Sequence, residues 1–598
     1  TGASCGDLFF QDILYENQIM AINKILTKTE NIGAAVILGM YLRTESTMIE
    51  CAMLMQSGTI KGVIPKHNPS HFYGNFSNSR WFNPSPNDLD AIYILGQKIP
   101  FGKILFSDQE NGLCLGVEVG DDTDAPISPG LELAAAGAQI ILNPSANPEL
   151  IGSSGSRQVK TSQKSRAGIC AQVLCSAGAS ESTSAGIYSG HLIIAEDGEI
   201  LNDDCRLDFK SKQILSDVDY QYLKAQRLRN PAFQNTKKLP EFQRVDLDTL
   251  PTIDEATALM RTYSKTPFIP SDRKVFEKNC KESFEIQSHA LARRLLHTNS
   301  KKIVLGVSGG LDSTLALLVA ARAVKILDRP SSDIISVTMP GFGTSGKTYL
   351  SAMNMMKALG TEIREINIKD AVLLHFQDIG HDPSIKNVVY ENVQARERTQ
   401  ILMDIANMVG GISLGTGDLS EIALGWSTYN GDHMSMYNVN AGIPKTFMKA
   451  VIRWFIDYLS NGNNFSLNDD MLASALNDVL DTPVSPELLP PDESDAISQK
   501  TEDKIGPYAL HDFFLYHTIK SGASPLKMMA IAKATFYDEY DEDYISKWLK
   551  TFYIRFFTHQ FKRGCAPDSP KVGSISLSHK GDWMMPSDGD VNIWIEKL

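Results

Sequence analysis

The run Ser308-Gly309-Gly310-Leu311-Asp312-Ser313 brings together the residue types needed to hold a polyphosphate. Two glycines let the main chain approach an anion closely, and successive N–H groups at a helix start make a positive cradle. The hydroxyls of Ser308 and Ser313 can donate to phosphate oxygens, and the Asp312 carboxylate can hold a magnesium ion. With the end of the preceding strand, the candidate cradle is Gly306, Val307, Ser308, Gly309, Gly310, Leu311, Asp312 and Ser313. The third glycine of the dinucleotide fingerprint is missing, and no Gly-Lys-Ser/Thr follows, so a Walker A loop is excluded. A tight strand-to-helix turn with a cap would be the plain structural reading. The full motif directly after the apolar run Lys302–Val307 favours a nucleotide site.

Three further blocks carry polar groups at strand or helix ends. Met339–Ser345 follows the second strand, at the edge where adenine and ribose would sit. Tyr390–Thr399 opens a helix, and Gly415–Asp432 follows the strand Ile412–Leu414. The Ser-Gly-Gly-x-Asp-Ser turn resembles the PP-loop of ATP pyrophosphatases. GMP and asparagine synthetases share that turn, but they lack an obvious counterpart to Gly415–Asp432. All four blocks in order resemble the NAD+ synthetase family, in its large, glutamine-dependent form.

That resemblance implies an ATP-dependent ligase: the nicotinate carboxylate of deamido-NAD attacks the α-phosphorus of ATP, and ammonia then displaces AMP. It implies catalytic roles for Ser308 and Asp312, magnesium on Asp312 and Glu421, and Thr416 against ATP. Asn392, Glu421 and the run Trp426, Ser427, Thr428 and Tyr429 would hold deamido-NAD. Near the C-terminus, Phe561–Gly573 also resembles the family, with Lys562 the matching dinucleotide contact and Gly564 a departure from the usual serine. Ser485–Pro491 with Gln499–Asp503 is similar to the loop that closes over ATP. A homo-oligomer, an octamer by family resemblance, is also implied.

The first 205 residues resemble the nitrilase-type amidase domain that releases ammonia from glutamine, an α-β-β-α sandwich. Thr1–Gln11, Gly62–Lys66, Gly116–Val119 and Ser176–Thr183 carry the likeness. Amide hydrolysis in this manner needs a cysteine nucleophile, a glutamate base and a lysine that stabilises the tetrahedral intermediate. Only Lys66 of that triad is present. Gly120 stands at the nucleophile position, within Gly120-Asp121-Asp122-Thr123-Asp124, and the glutamate position precedes Thr1. Asn147, Ser153 and Phe72 also replace the usual serine, basic residue and tyrosine. These coincident changes point to a decayed site and an ammonia-dependent enzyme. The alternatives are an active glutamine-dependent synthetase seen as an altered or truncated chain, and a non-catalytic scaffold or filament homologue. Cys114, in mid-strand six residues before Gly120, does not substitute; Cys114, Cys170 and Cys175 read as buried structural thiols.

The chain must build elements that place these groups. Its 598 residues exceed one hydrophobic core and suggest two to four domains. With 43% hydrophobic and 21% charged residues it has a folded-protein composition, and a net charge of -13 argues against a nucleic-acid binder. The eight cysteines form no CxxC pair, which disfavours a zinc site or disulfide framework. No internal repeat is visible, and no apolar stretch is long enough for a membrane, so a cytoplasmic location is expected. The opening run Thr1–Leu8 lacks signal-peptide order and reads as the middle of a motif, so upstream residues are expected to be processed away or to lie outside the chain. Strands are expected at Ala91–Leu95, Leu113–Val119, Gln139–Leu142 and His191–Ile194, with a helix over Thr161–Ala177. From Lys301 onward strands at Lys302–Val307, Ile334–Met339, Glu362–Ile368 and Ile412–Leu414 alternate with helices, which predicts a doubly wound parallel sheet. The expected division is an amidase-like domain at 1–205, a connector at 206–290 and a synthetase domain at 291–598. Asn461–Glu493 reads as a mobile loop.

Overall fold

A computed structural model describes residues 4–68, 80–86, 89–183, 186–204, 207–236, 241–250, 259–343, 346–485, 488–489 and 501–598. Thr1–Ala3, Phe72, Thr344–Ser345 and half of the two segments expected to close over ATP lie outside the described residues. The chain forms two compact units, Thr1–Thr262 and Tyr263–Leu598.

In the first unit, strands β1 (Val36–Arg43), β2 (Met48–Gln56) and β3 (Thr59–Pro65) form an antiparallel sheet, and β4 (Ala91–Ile94) pairs with β5 (Gln97–Pro100) in a hairpin. A second sheet contains β6 (Ile104–Asp108), β7 (Leu113–Val117), β8 (Ile140–Ser145), β9 (Ala171–Ser176), β10 (Leu192–Glu196), β11 (Glu199–Asp204) and β12 (Gln243–Asp246), in the order β11-β10-β9-β8-β7-β6-β12. Ala52, Leu54 and Ile64 of the first sheet pack on Ile104, Phe106, Leu115 and Val117 of the second. Helix α1 (Asp12–Lys28) presents Ile22 and Leu26 to the outer side of the three-stranded sheet. Helix α2 (Pro129–Ala135) places Leu133 and Ala134 against Leu105, Cys114 and Ile141, and α3 (Ser153–Gly168) lies beside β9 and β10. The layers run helix, sheet, sheet, helix, because each sheet is apolar on both faces and must bury both.

Two local expectations change here. The helix expected over Thr161–Ala177 ends at Gly168, Ile169 takes a left-handed conformation, and Ala171–Ser176 is a strand. Short apolar runs fit either period, and the Gly168–Ile169 reversal decides between them. Cys114 and Cys170 are buried as expected, but Cys175, near the end of β9, is exposed. All described cysteines are free. Beyond residue 206, α4 (Tyr220–Leu228) packs Leu223 on Ile169 and Ala171, α5 (Pro231–Gln234) follows, and β12 adds a parallel edge strand to β6.

The second unit begins with α6 (Arg273–Thr298). Its sheet contains β13 (Ile303–Gly306), β14 (Ile334–Thr338), β15 (Glu362–Glu365), β16 (Ile412–Gly415) and β17 (Tyr437–Asn438), all parallel, in the order β15-β14-β13-β16-β17. Helices α7 (Leu311–Ile326), α8 (Gly346–Leu359), α9 (Lys369–Ile379) and α10 (Val388–Val409) make the crossovers. Residues on α6, α7, α8, α12 (Lys445–Ser460) and α13 (Asp469–Leu480) share one core with Ile303 and Leu305, whereas Val304, Ile335 and Val337 face a second core with α9 and α10. This is the doubly wound arrangement the alternating pattern predicts. Helix α11 (Leu419–Leu424) follows β16; α14 (Thr501–Ile505), α15 (Tyr508–Tyr516), α16 (Pro525–Phe536), α17 (Glu542–Thr558), α18 (Gln560–Gly564) and α19 (Asn592–Ile595) complete the unit. The stretch expected as a mobile loop contains α13, capped by the Asn468 side chain and buried through Leu472, Ala475, Leu476 and Val479. Those four positions follow helical spacing inside a polar sequence. Among the described residues no helix is long and apolar enough to cross a membrane.

Candidate active site

In the second unit, β13, β14 and β16 end at one edge, and the residues just past them line a cavity of about 820 Å³. At the centre is the turn after β13. The Val307 N–H donates to the Val337 carbonyl, which seats the turn on β14. Ser308 and Ser313 hydroxyls lie 3.2 Å apart, and the Gly310 N–H donates to Ser308 Oγ at 3.2 Å. Gly309 has φ of +86°, and a Cβ there would collide with the Thr348 main chain, so the position demands glycine twice over. Gly310 caps α7 without a side-chain bond, leaving the helix N-terminus to the cavity.

Gly306, Val307, Ser308, Gly310, Leu311, Asp312, Ser313, Thr416, Asn392, Glu421, Trp426, Ser427, Thr428, Tyr429 and Lys562 all line this one cavity. Among the sequence-expected residues of this unit, Gly309 alone does not; it supports the turn from behind. Asn440 Nδ2 donates to the Asp312 and Thr416 carbonyls at 2.9 and 3.0 Å, tying the β13 turn to the end of β16.

Behind Asp312 and Glu421 lies a residue that sequence reasoning missed. The Lys445 side chain is fully buried, with Nζ 2.8 and 2.9 Å from the Asp312 oxygens, 2.5 Å from Asp418 and 3.0 Å from Glu421. Burial alone would pull this ammonium down, but Asp312, Asp418 and Glu421 raise it well above its ordinary value. Burial raises the Asp418 and Glu421 carboxyls in turn, Glu421 to about 7, with Lys445 opposing and Asp312 adding to the rise. Asp418 also caps α11 by accepting the Glu421 N–H at 2.8 Å. Oxygens of Asp312, Asp418 and Glu421 lie within 4.8 Å of one another. Three carboxylates against one ammonium leave two formal negative charges, and an all-oxygen donor set suits a hard divalent cation.

The last turn of α11 and the loop after it are held from the C-terminal helices. Arg563 donates to the Ile422 and Ala423 carbonyls, Arg555 to Leu424, and Lys562 Nζ to Gly425 and Ser427 at 2.8 and 2.7 Å. The Lys562 ammonium therefore spends two bonds on main-chain carbonyls while facing the cavity. The Arg555 guanidinium lies 5.0 Å from the Trp426 ring, and Tyr429 stacks on His433 with centroids 5.1 Å apart. Thr428 donates to Asn392 Oδ1 at 2.8 Å and, through its N–H, to Asp432 at 2.7 Å.

In the first unit, β7 runs through Glu118 into a short turn, Gly120–Asp124. Gly120 has φ of +59°, and a Cβ built there would stand 3.5 Å from Lys66 Nζ. Lys66, just past β3, is buried and ion-paired with Asp121 and, at 3.4 Å, with Glu50. Asn143 Nδ2 donates to the Gly120 carbonyl, and Asp122 accepts the His67 and Asn68 N–H groups. Gly120 and Lys66 thus meet across the two sheets. Ser153 accepts from Arg157 at 3.4 Å, so a basic side chain does reach it from one helical turn on.

Residues 284–456 match the family model for NAD synthase. The chain is 36% identical to the glutamine-dependent NAD(+) synthetase of Mycobacterium leprae, over all of this chain and 91% of that protein. It is 25% identical to the enzyme of the same name from Thermotoga maritima, over 84% of this chain and 78% of that one. A solved glutamine-dependent NAD(+) synthetase from Cytophaga hutchinsonii aligns over 100% of this chain and 92% of its own, with 19% identity and a TM-score of 0.44. On the full-length identity, the chain belongs to the glutamine-dependent NAD+ synthetase family, ATP-dependent ligases that form a C–N bond.

Proposed function

We propose that this chain amidates deamido-NAD with ATP and free or delivered ammonia, and that its amidase-like unit does not hydrolyse glutamine. The observation that carries the first part is the shared cavity, where the Ser308–Ser313 cradle faces Glu421 and the Trp426–Tyr429 loop. The main-chain N–H groups of the cradle and the start of α7 would bind the leaving pyrophosphate, with Ser308 and Ser313 donating. Thr416 would touch ATP. Asn392, Glu421 and the 426–429 run would hold deamido-NAD so that a nicotinate carboxylate oxygen lies in line with the α-phosphorus. Attack forms an acyl adenylate and breaks the bond to pyrophosphate; ammonia then attacks the carbonyl carbon, AMP leaves, and the amine proton is lost. A Mg2+ held by Asp312 and Glu421 would offset triphosphate charge. Lys445 would keep those carboxylates apart from one another's repulsion. Lys562 would contact the dinucleotide from the position it takes while supporting the loop.

The second part rests on Gly120, which offers no atom to attack a carbonyl, while Asp121 and Glu50 neutralise Lys66. We place the enzyme in the cytoplasm as a homo-oligomer, on the family likeness alone. Purified protein given deamido-NAD, ATP and ammonium is expected to yield NAD+, AMP and pyrophosphate; ADP as product would contradict the ligase reading. A second reading, glutamine-driven turnover, is favoured by the names of the relatives at 36% and 25% identity, both glutamine-dependent NAD(+) synthetases. It would require a nucleophile other than residue 120, and replacing ammonium with glutamine separates the two.

A further inference from the structure

Helix α15 carries a buried carboxylate that no step above uses. Asp512 is fully enclosed. Its Oδ1 accepts from the Ser420 hydroxyl, and its Oδ2 accepts the Thr446 N–H at 3.0 Å and the Thr446 hydroxyl at 2.6 Å. Ser420 Oγ in turn accepts the Lys445 N–H at 2.8 Å. Lys445 and Thr446 are the first two residues of α12, and the residue before them, Pro444, gives no side-chain cap. A helix leaves its first N–H groups without partners. Here both of those N–H groups end on side chains from other helices, Ser420 of α11 and Asp512 of α15. Tyr508, one turn before Asp512, places its ring 5.3 Å from the Lys445 ammonium. Ser420 also precedes Glu421, so one carboxylate braces both helices that bring Lys445 and Glu421 together.

We propose that Asp512 is a positioning residue for the ligase reaction. By capping α12 from α15 and bracing Ser420, it sets Lys445 among Asp312, Asp418 and Glu421 without touching substrate. The functional part of this inference rests on the ligase reading of the cavity; the labelling part does not.

Reductive methylation of lysines, read by peptide mass spectrometry, reports how firmly each ammonium is held. Asp512→Asn keeps the volume but turns one acceptor into a donor that faces Thr446 or Ser420. Lys445 is expected to label several-fold faster in this variant than in the unaltered protein. Lys66, buried in the other unit, is the internal control and should label at its original rate. With ammonium as nitrogen source, kcat should fall about 10-fold or more while the KM for deamido-NAD stays within about 2-fold, because the loss is one of placement. Ser420→Ala breaks one link and should shift Lys445 labelling in the same direction by less. Lys445 labelling at the original rate in both variants would overturn the proposal. So would an acceleration that Lys66 shares, because it marks general loosening. A chain that failed to make NAD+ yet showed selective Lys445 labelling would sink the ligase reading and leave the positioning of Lys445 standing.

Discussion

The two units hold two sites built on the same plan, a polar turn past a buried strand met by a lysine, and they differ in what the lysine faces. In the second unit Lys445 meets three carboxylates beside a helix N-terminus and a cavity of about 820 Å³, so every group has a partner that chemistry can use. In the first unit Lys66 meets Asp121 and Glu50, and the residue whose Cβ would stand 3.5 Å from its ammonium is a glycine. Both units therefore bring a buried lysine to a polar turn past a strand, and in the first the residue whose Cβ would face the ammonium has no side chain.

The sharpest way to break this contrast is Asp312→Ala, which removes a cavity-lining carboxylate and two of the Lys445 contacts. Pyrophosphate release should fall by at least about 100-fold, the scale for losing one preorganised electrostatic group; a near-normal rate would deny the second site its role. Lys445→Met comes next. It leaves three carboxylates without their buried cation, and denaturant unfolding should show a loss of about 3–5 kcal/mol. The conservative Lys445→Arg should lose less stability.

Acid should weaken the second unit through His511, beside Asp512 on α15. Burial holds its imidazole down to about 4, from an ordinary 6.5, and the side chain keeps a 2.5 Å bond to the Ile505 carbonyl. The folded state favours the neutral ring, so this stability is complete above pH 6.5 and is lost as pH falls toward 4. The loss amounts to about 3 kcal/mol. Unfolding midpoints measured across that range should fall, and His511→Leu should flatten the slope.

The smallest effect is expected in the first unit. Gly120→Cys places a side chain at φ of +59° and should cost about 1–2 kcal/mol. The new thiol would sit at a buried position beside an already paired Lys66, so it should react slowly with iodoacetamide, and glutamine-driven turnover should stay a small fraction of the ammonium-driven rate. Full glutaminase activity in this variant would show that the first unit lacks only the side chain at residue 120.

Much of this contrast is legible in the sequence, for reasons that particular residues make plain. Ser308–Ser313 is a local motif whose chemistry and geometry sit in six residues, and Thr416 and Trp426–Tyr429 follow β16 to the edge that Asn392 reaches from the start of α10. Gly120 is visible because the neighbouring run marks where a thiol is needed. Lys445 is not visible: its partners lie up to 133 residues away, and a lysine that opens a helix normally faces water. Asp512 is hidden in the same way, in an apolar helix where its partners come from α11 and α12. Asn461–Glu493 looked like a loop because its polar residues mask the four spaced positions that bury α13. Cys175 reads as buried within a helix expected over Thr161–Ala177, whereas it lies near the end of a strand, where its side chain is exposed.

The central claim is a working ligase beside an amidase-like unit without a nucleophile. Its most direct test is isotopic: the purified protein, ATP and deamido-NAD are supplied once with 15N-ammonium and once with glutamine labelled at its amide nitrogen, and NAD+ is analysed by mass. The expected result is labelled NAD+, with equal AMP and pyrophosphate, from ammonium and almost none from glutamine. Equal incorporation from glutamine would contradict the account, since Gly120 could not have released that nitrogen.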